Sequence, residues 1–190
     1  MKGVVKYLFV LFSIVYLAYL SLPTPEFPLP PPDSVQSHEP ADTETPLRRA
    51  YFTDATREEV LTFYQSQLES NAPFSTIPFL TYRLNYPPEE AYGIIRDQTR
   101  STFLEEIVHP FRESIFVNGF EPKVQKDAIT IDGRHWRQKI TVKWVPSSLL
   151  ARLSLGILTL ICIYFVYTSI IRIICSTFLR GQESTKESHA

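Results

Sequence analysis

The side chains best equipped for chemistry lie between positions 96 and 112. Arg96 and Arg100 fall one helical turn apart and Arg112 follows closely, a set of cations able to hold an anion. Asp97, Glu105, Glu106 and Glu113 lie among them and can neutralise them, so a salt-bridged surface competes with an anion site. Glu106 and His109 have the E-x-x-H spacing that, on a helix, turns a carboxylate and an imidazole toward one metal. A di-iron carboxylate centre needs a second such half, and no other E-x-x-H and no H-E-x-x-H occurs. His109 also precedes a proline, where an imidazolium would complement the end of a helix dipole. Arg96, Arg100, Glu106, His109 and Arg112 are therefore the candidates for ligand binding. No metal and no cofactor is expected, and no catalytic residue is assigned.

Other chemistries find less. Of four histidines only His109 and His135 lie where a nucleophile could use them, and no G-x-S-x-G elbow accompanies either. The carboxylate pairs Glu58/Glu59, Glu89/Glu90 and Glu105/Glu106 sit at predicted helix starts, where capping and the helix dipole account for them. Six glycines scattered along the chain make no phosphate loop. A formal net charge of -1 supplies no basic field for nucleic acid, so no nucleic-acid partner is expected. The two cysteines, Cys162 and Cys175, fall in an apolar C-terminal region and can neither staple the polar middle nor form a C-x-x-C motif.

The elements that must position these residues begin with two apolar segments. Residues 153–171 carry no charge over a length that matches a bilayer core of roughly 30 Å, with Arg152 and Arg172 at its borders and Ser147 or Ser148 as the helix cap. Residues 7–22 form a second apolar run preceded by Lys2 and Lys6, without the small-residue pattern of a cleavage site, which predicts an uncleaved anchor. The basic residues Lys2, Lys6, Arg172, Arg180 and Lys186 flank the two spans, so the positive-inside rule places both termini in the cytoplasm of a two-pass plasma-membrane protein. The lipid bilayer is then a partner, and the middle of the chain lies outside. Tyr16, Tyr19, Tyr164 and Tyr167 fit aromatic belts at the span ends.

The expected organisation is residues 1–22 for the cytoplasmic N-terminus and first span, 23–46 for a linker, 47–146 for a folded domain, 147–172 for the second span and 173–190 for an interfacial segment and tail. The linker is rich in proline, acidic and poor in aliphatic residues, which predicts an extended spacer unable to bury a core.

In the domain, Thr56-Arg57-Glu58-Glu59 has capping-box spacing, and Val60, Phe63, Tyr64 and Leu68 follow on one helical face, predicting a helix over 57–69. Leu80, Tyr82, Leu84 and Tyr86 alternate with polar residues, predicting a strand with one wet face, which Pro87-Pro88 ends. The apolar stripe of the next segment changes sides between Ala91-Ile94-Ile95 and Phe103-Leu104-Ile107-Val108, and Thr102 to Glu105 repeats the capping spacing. This predicts two short helices, or one helix packed on both sides. Residues 114–117 read as a strand entering a tight turn at Asn118-Gly119. Residues 128–131, the turn Asp132-Gly133 and residues 134–145 form a hairpin, with Trp136, Gln138, Ile140, Val142 and Trp144 toward the core and Arg137, Lys139, Thr141 and Lys143 opposite. That cationic face is either a surface for anionic headgroups or solvated edge protection. About three helices on a mostly antiparallel sheet make an α+β domain.

The stretch DATREEVLTFYQSQL, with its E-V-x-x-F-Y-x-x-x-L helix, resembles the opening of small extracytoplasmic α+β domains in uncharacterised bacterial cell-envelope membrane proteins and lipoproteins. The resemblance implies a cell-envelope setting, possession of an outer domain and no transferable catalytic residue. Three functions then stand open: a binding or scaffolding module, with another envelope protein as partner; an envelope enzyme with its site around residues 96–112; and a sensor or accessory subunit of a membrane complex.

Overall fold

The computed structural model describes residues 2–24, 26–70, 81–95 and 100–187. The chain divides into two compact units, Leu22–Ser148 and the pair of terminal segments Met1–Ser21 and Leu149–Ala190.

The terminal unit consists of α1 (Lys2–Ser21) and α4 (Leu149–Glu187), both long and apolar enough to cross a membrane. Of α4, the stretch Leu149–Thr177 meets that standard. The helix continues without a break through Arg172, so its 39 residues extend roughly 58 Å, nearly twice a hydrocarbon core.

The middle unit is α+β. Its main sheet has six antiparallel strands in the order β1 (Val35–Gln36), β2 (Arg48–Thr53), β8 (Gln138–Val145), β5 (Glu113–Phe120), β4 (Phe103–His109) and β3 (Tyr82–Tyr86). Between β5 and β8 the chain makes a separate two-stranded hairpin from β6 (Ile129–Ile131) and β7 (Arg134–Trp136). Asp132 at φ 51° and Gly133 at φ 76° give the left-handed pair that the two-residue turn requires.

Helix α2 (Arg57–Ser70) starts at the predicted capping box. The Thr56 N–H donates to Glu59 Oε2 at 2.7 Å, and the Glu59 N–H donates to Thr56 Oγ1 at 3.3 Å. Its buried face, Val60, Leu61, Tyr64 and Leu68, packs on Tyr51, Phe103, Ile107, Ile115, Val117, Ile140, Val142 and Trp144 to form the main core. A smaller cluster lies on the opposite sheet face, where Ala91 and Ile95, in and just after α3 (Ala91–Ile94), cover Leu104, with Tyr86 and Phe116 alongside.

Several expectations are corrected. Residues 103–108 are not helical but belong to β4, because α2 covers one face of that strand and the α3 segment the other. Apolar residues are then wanted on both sides, and the period of two is hidden. The Thr102 hydroxyl does not cap a helix; it donates across to the Gly119 carbonyl at 2.9 Å. Nor do Asn118 and Gly119 turn the chain. β5 runs through them, and Gly119 is needed because a Cβ there would strike the Phe103 ring. The turn lies instead between His109 and Glu113, with Phe111 at φ 61°.

The faces of β3 follow the expected alternation only at its end, where Tyr86 is half-buried and Asn85 exposed. Tyr82 (54 % exposed) and Leu84 (44 %) face solvent, whereas Arg83 turns to α2 and bonds Glu58 and Gln65, each at 2.6 Å. Leu80 lies outside the described residues. The proline-rich segment is not the extended spacer its composition predicts: it supplies β1 and buries Pro28, Pro31, Ser37 and Asp42. Ser37 donates to Asp42 at 2.6 Å, and Lys139 pairs with Asp42 at 2.7 Å and Glu39 at 2.9 Å. Lys143 donates to the Ile94 carbonyl at 2.9 Å and Arg137 pairs with Glu121 at 2.9 Å, so the predicted cationic face is engaged by the domain itself.

Candidate functional site

The β4–β5 hairpin brings the most chemically capable side chains together. Register places His109 opposite Glu113, so both point to the α2 side at the strand ends, and Pro110 and Phe111 carry the chain back. His109 Nδ1 lies 2.7 Å from Glu113 Oε1, and Arg112 Nη2 lies 3.0 Å from the same oxygen. Arg112 Nη2 also donates to the Pro23 carbonyl at 2.9 Å, while the Ser147 hydroxyl donates to the Arg112 carbonyl. Thr24 Oγ1 donates to the Ser147 carbonyl at 3.5 Å. One hairpin end therefore holds the points where the chain enters and leaves the unit.

His109 is 2 % exposed, Glu113 3 % and Arg112 5 %. A His–Glu pair is the base-and-orienter half of a nucleophilic site, but a substrate must reach the free ring nitrogen. His109 Nε2 is buried and has no hydrogen-bond partner among the described residues. The arrangement ties the β4–β5 turn to Pro23 and Ser147, near the two ends of the unit.

The other candidates are dispersed. Glu106 is three residues from His109 on a strand, hence on the opposite face, and the E-x-x-H pair does not converge on a metal. Glu106 Oε2 instead accepts from the Tyr86 hydroxyl at 2.6 Å, a bond that, with lesser help from burial, pushes the Tyr86 pKa up to about 12. Arg100 is exposed and pairs with Asp127 at 3.1 Å. Arg96 lies outside the described residues. Among the described residues no three of His, Cys, Asp and Glu gather as metal ligands.

A second polar place was missed in the sequence. An open groove of about 570 Å³ runs between the proline-rich segment and the start of α2, lined by Pro31, Asp33, Asp54, Glu59, Phe63 and Arg134 among others. Asp54 accepts from Arg134 at 2.7 Å and from the Arg137 N–H at 3.0 Å, and the Arg134 guanidinium stacks over Trp136 at 3.9 Å. The Arg134 bond, followed by the backbone bond from Arg137, lowers the Asp54 pKa. Arg83 lowers that of Glu58, and the Thr56 backbone bond that of Glu59. Carboxylates held below their unfolded values of 3.8 and 4.5 stabilise the fold above that range, and the contribution disappears as pH falls through the lowered values. The urea midpoint should therefore fall on acidification below about pH 4, and it should fall less steeply in an Asp54→Asn, Glu58→Gln, Glu59→Gln variant. Equal slopes would remove these three groups as the cause.

Comparison with known proteins adds no relative: no family model, curated protein or solved structure matches the chain.

Proposed function

We propose that this chain is a two-pass membrane protein of the cell envelope, with both termini cytoplasmic and an outer α+β domain that works by binding a partner, not by catalysis. The observation that carries the binding reading is the fate of the polar residues. His109, Glu113 and Arg112 are buried in mutual bonds and in bonds to the chain ends, and Glu106 and Arg100 are turned to separate partners. Side chains committed in this way hold a scaffold. The open groove beside Asp54 and Phe63 and the exposed Tyr82 and Leu84 of the edge strand β3 offer the domain's surface to another envelope protein.

The membrane orientation rests on Lys2, Lys6, Arg172, Arg180 and Lys186 flanking the two apolar helices. Reporter fusions at both ends of the chain should read cytoplasmic, and a fusion within residues 23–46 should read outside. An outer reading at the C-terminus would overturn the topology. Affinity purification from solubilised membranes, with and without solvent-facing substitutions Tyr82→Ser and Leu84→Ser, tests the binding reading through a stable partner that the substitutions release.

A sensor or accessory role has one specific observation in its favour. The residues leading from the first helix and into the second are both bonded to the β4–β5 turn, through the Pro23 carbonyl and Ser147. A change at that turn would act on both connections.

A further inference from the structure

Within the helical unit, α1 and α4 run antiparallel: Leu20 and Tyr16 flank Gly156, and the rings of Phe9 and Tyr164 meet at 6.4 Å between centroids. Toward the N-terminal end of α1 the two helices border a crevice of about 500 Å³ lined by Phe9, Tyr164, Tyr167 and Thr168, with Lys6 and Arg172 both contributing to its wall. Neither helix brings a counter-charge near this crevice. No Asp or Glu occurs in residues 1–21 or 149–182, and the first, Glu183, lies eleven residues beyond Arg172, roughly 16 Å along the helix. Arg172 is moreover not at the end of the apolar stretch, which continues to Thr177 with Ile173 and Ile174 exposed. A cation set among lipid-facing turns is retained when an anion meets it there.

We propose that this crevice is a binding site for an anionic phospholipid, its phosphate held between Lys6 and Arg172 and an acyl chain laid along Phe9 and Tyr164. The proposal rests on the membrane reading above and adds a ligand to it. The lining chooses among anions, since a free phosphate would gain nothing from an apolar wall, whereas a lipid fills the wall and the charged mouth together. A zwitterionic lipid brings its own ammonium to its phosphate and leaves the two side-chain charges half answered.

The test uses the full chain reconstituted in phosphatidylcholine bilayers, checked first for resistance to alkaline extraction. Phosphatidylglycerol and phosphatidylcholine, each spin-labelled far down one acyl chain, are compared by the fraction of label that the protein restricts. Wild type should prefer phosphatidylglycerol by on the order of fivefold per cation engaged. The preference should vanish in the Lys6→Gln, Arg172→Gln variant and survive in Arg172→Lys. Equal association of both lipids with wild type, or a preference that the double variant retains, would overturn the site. So would cross-linking between copies through a cysteine placed at Thr168 in a Cys162→Ser, Cys175→Ser background, which would put a second copy's helix in the crevice. Release of the protein by alkaline extraction would remove the membrane reading and the site together, whereas stable integration without headgroup preference would remove the site alone.

Discussion

Replacing Trp144 by alanine should lower the unfolding free energy by roughly 3–5 kcal/mol, the range for emptying a large aromatic site in a packed core. Trp144 is 4 % exposed, sits on β8 between two strands, and faces the main core opposite Ile115 on β5. Its backbone N–H is tied to the Leu47 carbonyl at 2.8 Å, so the strand cannot shift readily to close the space. A loss of that size is a large part of the roughly 5–15 kcal/mol that holds a typical domain together. Trp136 is as well buried, but it belongs to the small β6–β7 hairpin and to neither core cluster. Trp136→Ala should therefore cost less than Trp144→Ala. Urea titration of the full chain in mild detergent, followed by circular dichroism, gives both values. A Trp144→Ala loss under about 1 kcal/mol would mean that the core collapses around the gap or was not formed as described.

The same residues explain what was legible in the sequence. Elements specified by nearby residues could be read directly: α2 through Thr56 and Glu59, the hairpin through Asp132-Gly133, and the inward face of β8 through the alternation from Gln138 to Trp144. β4 could not, because cover on both faces erases the alternation that identifies a strand, and its Phe103, Leu104, Ile107 and Val108 then imitate a helical stripe. Gly119 looked like a turn residue because glycine is common in turns, yet its function is to leave room for a ring sixteen positions away. The proline-rich segment was judged by composition, which cannot register the single buried acid Asp42 or its distant partner Lys139. The candidate site failed for a related reason. Glu106 and His109 are neighbours in sequence, but three positions along a strand point to opposite faces, Arg100 and Arg112 lie outside the strands, and only the hairpin register brings Glu113 to His109. Asp54 and Arg134 are eighty residues apart and meet only through the fold.

That hairpin end is also where the second large effect is expected. Arg112→Met should destabilise the domain by about 3–5 kcal/mol, because it removes one partner from a buried ion pair and leaves the Glu113 carboxylate with less compensation. Methionine keeps much of the side-chain volume, so the loss reports charge and hydrogen bonding rather than a cavity. The Ser147 bond ends on the backbone carbonyl of Arg112, and the substitution spares it. The bond to the Pro23 carbonyl comes from the guanidinium, and the substitution deletes it. The two chain connections should consequently separate in their response. In Arg112→Met, limited proteolysis should cut residues 23–34 faster than in wild type, with a smaller change around residues 146–148. Ser147→Ala should reverse that order and cost only about 0.5–1.5 kcal/mol, the range for one ordinary hydrogen bond. Adding Glu113→Gln to Arg112→Met should then cost much less than Glu113→Gln does in wild type, since the carboxylate has already lost its cation. Strict additivity of the two substitutions, with no change in cleavage of residues 23–34, would show that the buried cluster does not hold the domain's ends and that the Arg112–Pro23 bond is an incidental contact.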